Sequence, residues 1–292
     1  MSILQASDRA ATESTDSVAP PALSVRNVTV RYRGSSTAAV DDVSLDIAPG
    51  ERIAVVGESG SGKTTLGLAV AGFLDETTQV SATTLAIAGN SVLDRKHRRI
   101  PRRTPGLSMI FQDAMTSLDP VFTIGSQIAA VLRGAGVPRK EVRERSRHWL
   151  SRVGLTDTAR VLAAHPRELS GGMRQRAMIA IALAGSPRLL IADEPTSALD
   201  AALARSTMQL LVELSSSNDA ALLMISHDIA LCREFSDRTV VMYHGVAVEQ
   251  IASADLDTKA QHPYTQGLVR CVPTLASAEL EELPTLDWEP AA

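Results

Sequence analysis

The sequence predicts an α/β fold, and three observations carry that prediction. Short, mostly apolar runs of strand length occur at Arg52–Val56, Leu189–Asp193 and Ala221–Ile225, with the character of strands buried on both faces. Helix-compatible segments separate these runs, as alternating strands and helices require. Residues 57–64, GESGSGKT, fit G-x-x-x-x-G-K-[ST] between the first run and a helical pattern.

The elements justify themselves in order. Residues 24–32 alternate apolar and polar at period two, as a half-buried strand does. Residues 39–47 give a second strand, and Ala48-Pro49-Gly50-Glu51 is a turn into the third. Residues 66–74 are apolar and read as a helix; residues 80–90 read as β. The segment 91–104 is crowded with Arg, Lys and His and reads as a solvated loop. The pattern turns helical from about Gly125. A charged amphipathic helix spans 139–153, stopped by Gly154, and another spans 173–184. A crossover helix at 199–214 joins the second and third apolar runs. Residues 239–243 and 246–250 flank His244-Gly245 as a hairpin. A helical insert would therefore occupy about 113–185. No internal repeat is visible.

Bulk composition excludes several classes. The 292 residues carry a net charge of −4 and only 3% aromatics, which supports neither bulk nucleic-acid binding nor base-stacking platforms. No apolar stretch reaches the roughly 18 residues of a membrane span. The nearest, 177–185, is cut off by Ser186-Pro187-Arg188. Two cysteines, Cys232 and Cys271, make no disulfide framework and are expected to be buried and inert in a cytosolic chain. Residues 1–21 are rich in Ala, Ser, Thr and Asp, cannot form a signal-peptide core, and are expected to be a disordered leader.

Three constellations carry chemistry. In the glycine-rich loop Gly57, Ser59, Gly60, Ser61 and Gly62 let successive N–H groups face phosphate oxygens, with Thr65 following at the helix start. Lys63 supplies a point charge for the β and γ phosphates and Thr64 a hydroxyl for Mg²⁺. Asp193 and Glu194 end an apolar strand, the usual ligand position of an α/β sheet; the first acid suits Mg²⁺ and the second suits the attacking water. Ser170-Gly171-Gly172 caps a helix N-terminus that a phosphate can approach.

At this point the chain resembles the nucleotide-binding subunit of an ABC transporter, over residues 22 to 250. Leu169-Ser170-Gly171-Gly172-Met173 is similar to the LSGGQ signature, with Met173 in place of Gln. Residues 57–65 resemble Walker A and 189–194 Walker B. Phe111-Gln112-Asp113 resembles the Q-loop, Ser197-Ala198-Leu199-Asp200 the D-loop and Ser226-His227-Asp228 the H-loop. Tyr32 resembles the aromatic that stacks on adenine. The segment 112–120 and the tail His262-Pro263-Tyr264-Thr265-Gln266-Gly267-Leu268 are similar to the peptide and nickel importer subfamily.

The resemblance implies a RecA-like core, an antiparallel β subdomain and an α-helical subdomain at about 113–185, all within 22–252, followed by a peptide-importer-type extension at 253–292. It implies an ATPase that sandwiches ATP head-to-tail with a second subunit. The Met form of the signature suggests that the second subunit is a related but different ATPase. Thr64, Gln112 and Asp193 would arrange Mg²⁺, Glu194 would polarise water, and His227 would contact the γ-phosphate. Ser170, Gly171 and Gly172 would contact the partner's nucleotide, and Asp200 would bridge the interface. Two membrane permease subunits, contacted near residues 115–121, and an extracytoplasmic solute-binding protein would complete an importer at the cytoplasmic face of the membrane. Its cargo would be di- or oligopeptides, or else nickel, a metal chelate or glutathione. An accessory ATPase of a soluble phosphonate-cleaving complex is the other related possibility. Some relatives carry an iron–sulfur cluster on four cysteines; two cysteines cannot supply it, so none is expected.

Overall fold

The computed structural model describes residues 20–92, 104–112, 117–197 and 199–272. The expected leader apart from Pro20 and Pro21, most of the basic segment, Asp113, Met115, Ala198 and the last twenty residues of the expected extension lie outside them.

Two sheets are stacked. The first is antiparallel, ordered β2 (Val40–Ile47), β1 (Leu23–Arg31), β5 (Thr84–Ile87), β6 (Asn90–Ser91), with β4 (Gln79–Ser81) also on β1. The second runs β11 (Val246–Ala252), β10 (Arg238–Tyr243), β3 (Arg52–Val56), β9 (Ala221–Ile225), β8 (Leu189–Asp193), β7 (Leu107–Ile110). Its pairs are parallel except β10 with β11. The expected β stretch at 80–90 is three short strands, because Ala88-Gly89 turns with both residues at positive φ. β7 follows the basic segment and had no sequence signal of its own.

Alternate residues of the central strands face two cores. Ile53 and Val55 of β3 join Leu189, Ile191, Leu223 and Ile225 in a core shared with the antiparallel sheet. Ala54, Val56, Leu190, Ala192, Leu222 and Met224 face the other core, with the helices. Period-two side chains buried on both sides leave no polar position, which is why these strands read as unbroken apolar runs.

Helix α1 (Lys63–Ala71) sits in the first core through Leu66, Ala69 and Val70. It begins three residues before the apolar pattern does. Among the described residues of the insert are four α-helices, α2 (Ile124–Gly134), α3 (Arg139–Arg152), α4 (Thr158–Ala163) and α5 (Gly171–Ala184). Ile128, Leu132, Trp149, Leu150 and Leu183 pack them into the second core. Within the segment expected to contact permease subunits, Leu118 is 2% exposed, whereas Val121 is 72% exposed, as is the adjoining Phe122 at 54%.

The crossover helix α6 (Ala201–Ser216) starts two residues later than its pattern, at the Asp200 cap. Helix α7 (Ile229–Phe235) follows β9. Past β11, α8 (Leu256–Lys259) and α9 (Pro263–Arg270) return to the sheet. Cys232 is buried and Cys271 partly so.

Candidate active site

The loop from β3 to α1 is shaped by what surrounds its glycines. A Cβ on Gly57, whose φ is +151°, would lie 2.1 Å from the Met242 carbonyl oxygen of β10. One on Gly62, at φ +98°, would lie 2.3 Å from the Ala39 carbonyl oxygen. Only glycine gives both the close approach and the backbone angle. The loop is pinned from outside as well, since Gly245 N–H donates to the Ser61 carbonyl at 3.0 Å.

Gly62 starts α1 with no side-chain cap and no acid in the first turn. By contrast α5, α6 and α7 are capped by Ser170, Asp200 and Asp228, each accepting from a backbone N–H. The first N–H groups of α1 therefore point into the loop without an internal partner, which is the electrostatic form of an anion site.

Lys63 Nζ is turned into the loop. It donates to the carbonyls of Gly57 at 2.8 Å and Glu58 at 2.7 Å, with Ser61 Oγ at 3.4 Å. Burial lowers its pKa, opposed by the charges of Glu194 and Asp193.

Thr64 Oγ1 donates to Asp193 Oδ1 at 3.1 Å, joining the start of α1 to the end of β8. Asp193 is 4% exposed. Burial raises its pKa above the usual carboxylate range, opposed by the Thr64 hydroxyl; the neighbouring Glu194 raises it further and Lys63 lowers it. A hydroxyl and a buried carboxylate side by side are the hard oxygen donors that Mg²⁺ takes, so these residues fit the ion.

Glu194 leaves β8 at φ +47°, a left-handed conformation that costs a non-glycine residue about 1–2 kcal/mol. Its N–H donates to the Ile225 carbonyl at 2.8 Å, and Ser197 N–H donates to its own carbonyl at 3.3 Å. These bonds hold the turn that aims the carboxylate away from the strand. The carboxylate meets His227 Nδ1 at 2.9 Å. The sequence expects His227 at a phosphate; here it engages the other candidate catalytic group.

A cleft of about 450 Å³ gathers Tyr32, Ala39, Ser59, Gly60, Gly62, Lys63, Thr64, Thr65, Gln112, Glu194 and His227. Tyr32 lies at its rim, 39% exposed, with its hydroxyl 3.0 Å from Thr65 Oγ1. Ala39 was missed by sequence reasoning; its carbonyl lies against Gly62, and a backbone contact leaves no side-chain signal. Gly57 and Ser61 are buried in the loop's floor rather than the cleft wall.

Ser170, Gly171, Gly172 and Asp200 do not line this cleft. Ser170 and Gly171 are exposed at the start of α5, and a Cβ on either glycine would meet nothing within 4 Å. Asp200 is exposed and accepts from Leu203 N–H at 2.9 Å. Gln175, one turn into α5, donates to the Pro195 carbonyl beyond Glu194, tying the insert to the acidic turn.

Chemically, the arrangement offers an amide cradle with a cation, a hard-donor pair, and a carboxylate–imidazole pair around one opening. Among the described residues no group of three or more His, Cys, Asp or Glu side chains is placed to hold a metal ion. No described helix is long and apolar enough to cross a membrane.

A family model described as ABC transporter matches residues 40–197. The dipeptide transport ATP-binding protein DppD of Haemophilus influenzae is 40% identical over 262 residues, covering 88% of this chain and 79% of that protein. DppD of Escherichia coli is 40% identical over 269 residues, covering 90% and 82%. Among solved structures, cbiO1 from Clostridium perfringens, part of the ABC transporter complex cbiONQ, superposes with a TM-score of 0.69 at 25% identity, over 82% of this chain and 92% of that one. The dimeric, post-hydrolysis ATP-binding cassette MJ0796 bound to ADP and Pi gives 0.64 at 29% identity, over 79% and 98%.

Proposed function

The chain belongs to the ABC transporter family, and we propose that it is the ATP-hydrolysing subunit of an importer that takes up di- or oligopeptides. The observation that carries this is a cleft in which the uncapped start of α1, Lys63, Thr64, Gln112, Glu194 and His227 converge, with Asp193 behind Thr64. The 40% identity to dipeptide transport ATPases supports the peptide cargo.

The chain's own groups divide the work. The loop amides and Lys63 hold the β and γ phosphates, and Tyr32 stands at the rim for the base. Thr64, Asp193 and Gln112 would hold Mg²⁺, which when bound neutralises charge on the phosphates. Glu194 accepts the proton of the attacking water, and His227 orients the Glu194 carboxylate through their hydrogen bond. Ser170, Gly171, Gly172 and Asp200 face outward, as groups acting on a second ATPase subunit's nucleotide must. A related but different ATPase as that subunit, two permease subunits in the membrane, an extracytoplasmic binding protein and residence at the cytoplasmic face follow from the same reading. The division into a 22–252 ATPase domain and a 253–292 extension is part of it.

The test is uptake of labelled dipeptides by cells lacking this chain. Loss of uptake that the wild-type chain restores and Glu194→Gln does not is the expected result. Intact dipeptide uptake with lost nickel, metal-chelate or glutathione uptake would overturn the cargo. Co-purification with a soluble enzyme core in place of permease subunits would overturn the importer.

A further inference from the structure

The outer side of the phosphate loop carries a contact that the mechanism above does not use. Glu58 N–H donates to the Tyr264 hydroxyl at 3.0 Å. Tyr264 lies on α9, is fully buried, and comes 206 residues after the loop.

The tyrosine is held firmly. Its ring packs on Tyr243 at the end of β10, centroids 4.5 Å apart. Tyr243 meets His244 edge-on in the β10–β11 turn, next to the Gly245 that bonds Ser61. The approach to α9 is anchored by Glu249 of β11, which accepts from Gln261 N–H at 2.7 Å and His262 N–H at 3.2 Å. Pro263 opens the helix and His262 caps it by accepting from Tyr264 N–H. Burial pushes the Tyr264 hydroxyl up to about 12, so it stays a neutral phenol at any working pH.

The Glu58 N–H and the Gly57 C=O belong to one planar trans peptide unit and point in opposite directions. The N–H is aimed outward at Tyr264, so the carbonyl is aimed inward, where it accepts from Lys63 Nζ at 2.8 Å. We propose that Tyr264 is a positioning residue for Lys63, setting through the Gly57–Glu58 peptide plane where the ammonium rests before it meets a phosphate. The segment beyond β11 thereby acts as part of the nucleotide site rather than as an appendage to it.

This rests on the assignment of Lys63 to the phosphates, and the experiment separates the two. Nucleotide affinity of the full chain is titrated with a fluorescent ATP analogue for wild type, Tyr264→Phe, Lys63→Ala and the double variant. Phenylalanine keeps the ring and removes the hydroxyl that accepts from Glu58 N–H, so Tyr264→Phe is expected to weaken binding about three- to tenfold, with the melting temperature nearly unchanged. In the Lys63→Ala background the same change is expected to do nothing, because its target is gone. Equal losses in both backgrounds, or no loss in Tyr264→Phe, would overturn the relay. Unchanged affinity in Lys63→Ala would overturn the phosphate assignment instead. The wild-type chain provides a reading that needs no variant: without nucleotide its Glu58 amide should be protected from hydrogen exchange, and exchange at the rate of an open loop would overturn the proposal.

Discussion

Asp193→Asn should raise the melting temperature of the nucleotide-free protein while removing its response to Mg²⁺. Asparagine has nearly the same shape, and its Oδ1 still accepts from Thr64 Oγ1, now at 3.1 Å from Asp193. What disappears is a negative charge on a side chain that is 4% exposed. Burial is the largest influence on this carboxyl and raises its pKa above 3.8. The folded state therefore binds the proton more tightly than the unfolded chain does. Stability from this group is present in full below the unfolded pKa and is lost as pH rises through the raised folded value. Wherever the carboxylate is ionised its burial is a net cost, opposed by Thr64 and Lys63.

Removing such a functional cost stabilises by about 0.5–2 kcal/mol. For a chain of this size that is about 1–5 °C. Calorimetry from pH 4 to pH 8 checks the sign, since the advantage of the variant over wild type should shrink as pH falls. A saturating ligand at about a hundred times its Kd adds about 2.7 kcal/mol to wild type. The part of that increment that needs Mg²⁺, read by comparing ATP with and without chelator, should be lost in the variant. A variant that melts below wild type at pH 7, or that keeps the Mg²⁺ increment, would refute the reasoning.

Two further outcomes follow from the same geometry. Glu194→Gln keeps a hydrogen-bonding side chain 2.9 Å from His227 Nδ1 but removes the proton acceptor, so turnover in the assembled complex should fall about 10²–10⁴-fold with ATP affinity unchanged within about twofold; phosphate release and nucleotide titration check both. Gly57→Ala puts a methyl group 2.1 Å from the Met242 carbonyl, where rigid β10 backbone cannot yield, so it should cost about 1–3 kcal/mol and weaken nucleotide binding, read by thermal melting and titration.

How much of this was legible depended on whether the chemistry constrains residue types locally. The β3 loop, the acids after β8 and the Ser170 cap stand out because each needs particular residues at short spacing. The strands stand out because both their faces are buried. The start of α1 did not, because Gly62 opens it by backbone conformation, without a capping side chain. β7 is four residues long and its partner β8 is 82 residues away, so nothing local marks it. The left-handed turn at Glu194 is imposed by bonds to Ile225 and Ser197, not by a residue that favours it. Tyr264 stood in a tail segment singled out from the sequence, yet its target was invisible, since a hydroxyl bonded to a distant backbone N–H leaves no spacing to read.

The arrangement explains why one fold carries two unlike helix termini. At α1 the N-terminus is uncapped and backed by β10 and by the Tyr264 contact, so an anion there would be held by this chain. At α5 the N-terminus is capped by Ser170, which accepts from Met173 N–H at 3.3 Å and still has its hydroxyl proton to donate. Gly171 and Gly172 beside it border open space. On the proposed function, a group that stands open yet is built on a buried helix would serve a ligand brought from outside. The Gln175 bond to the Pro195 carbonyl then gives that outward surface a mechanical route to the Glu194 turn. On the proposed pairing, nucleotide captured against α5 would bear on the Glu194 turn of the same chain through α5 itself.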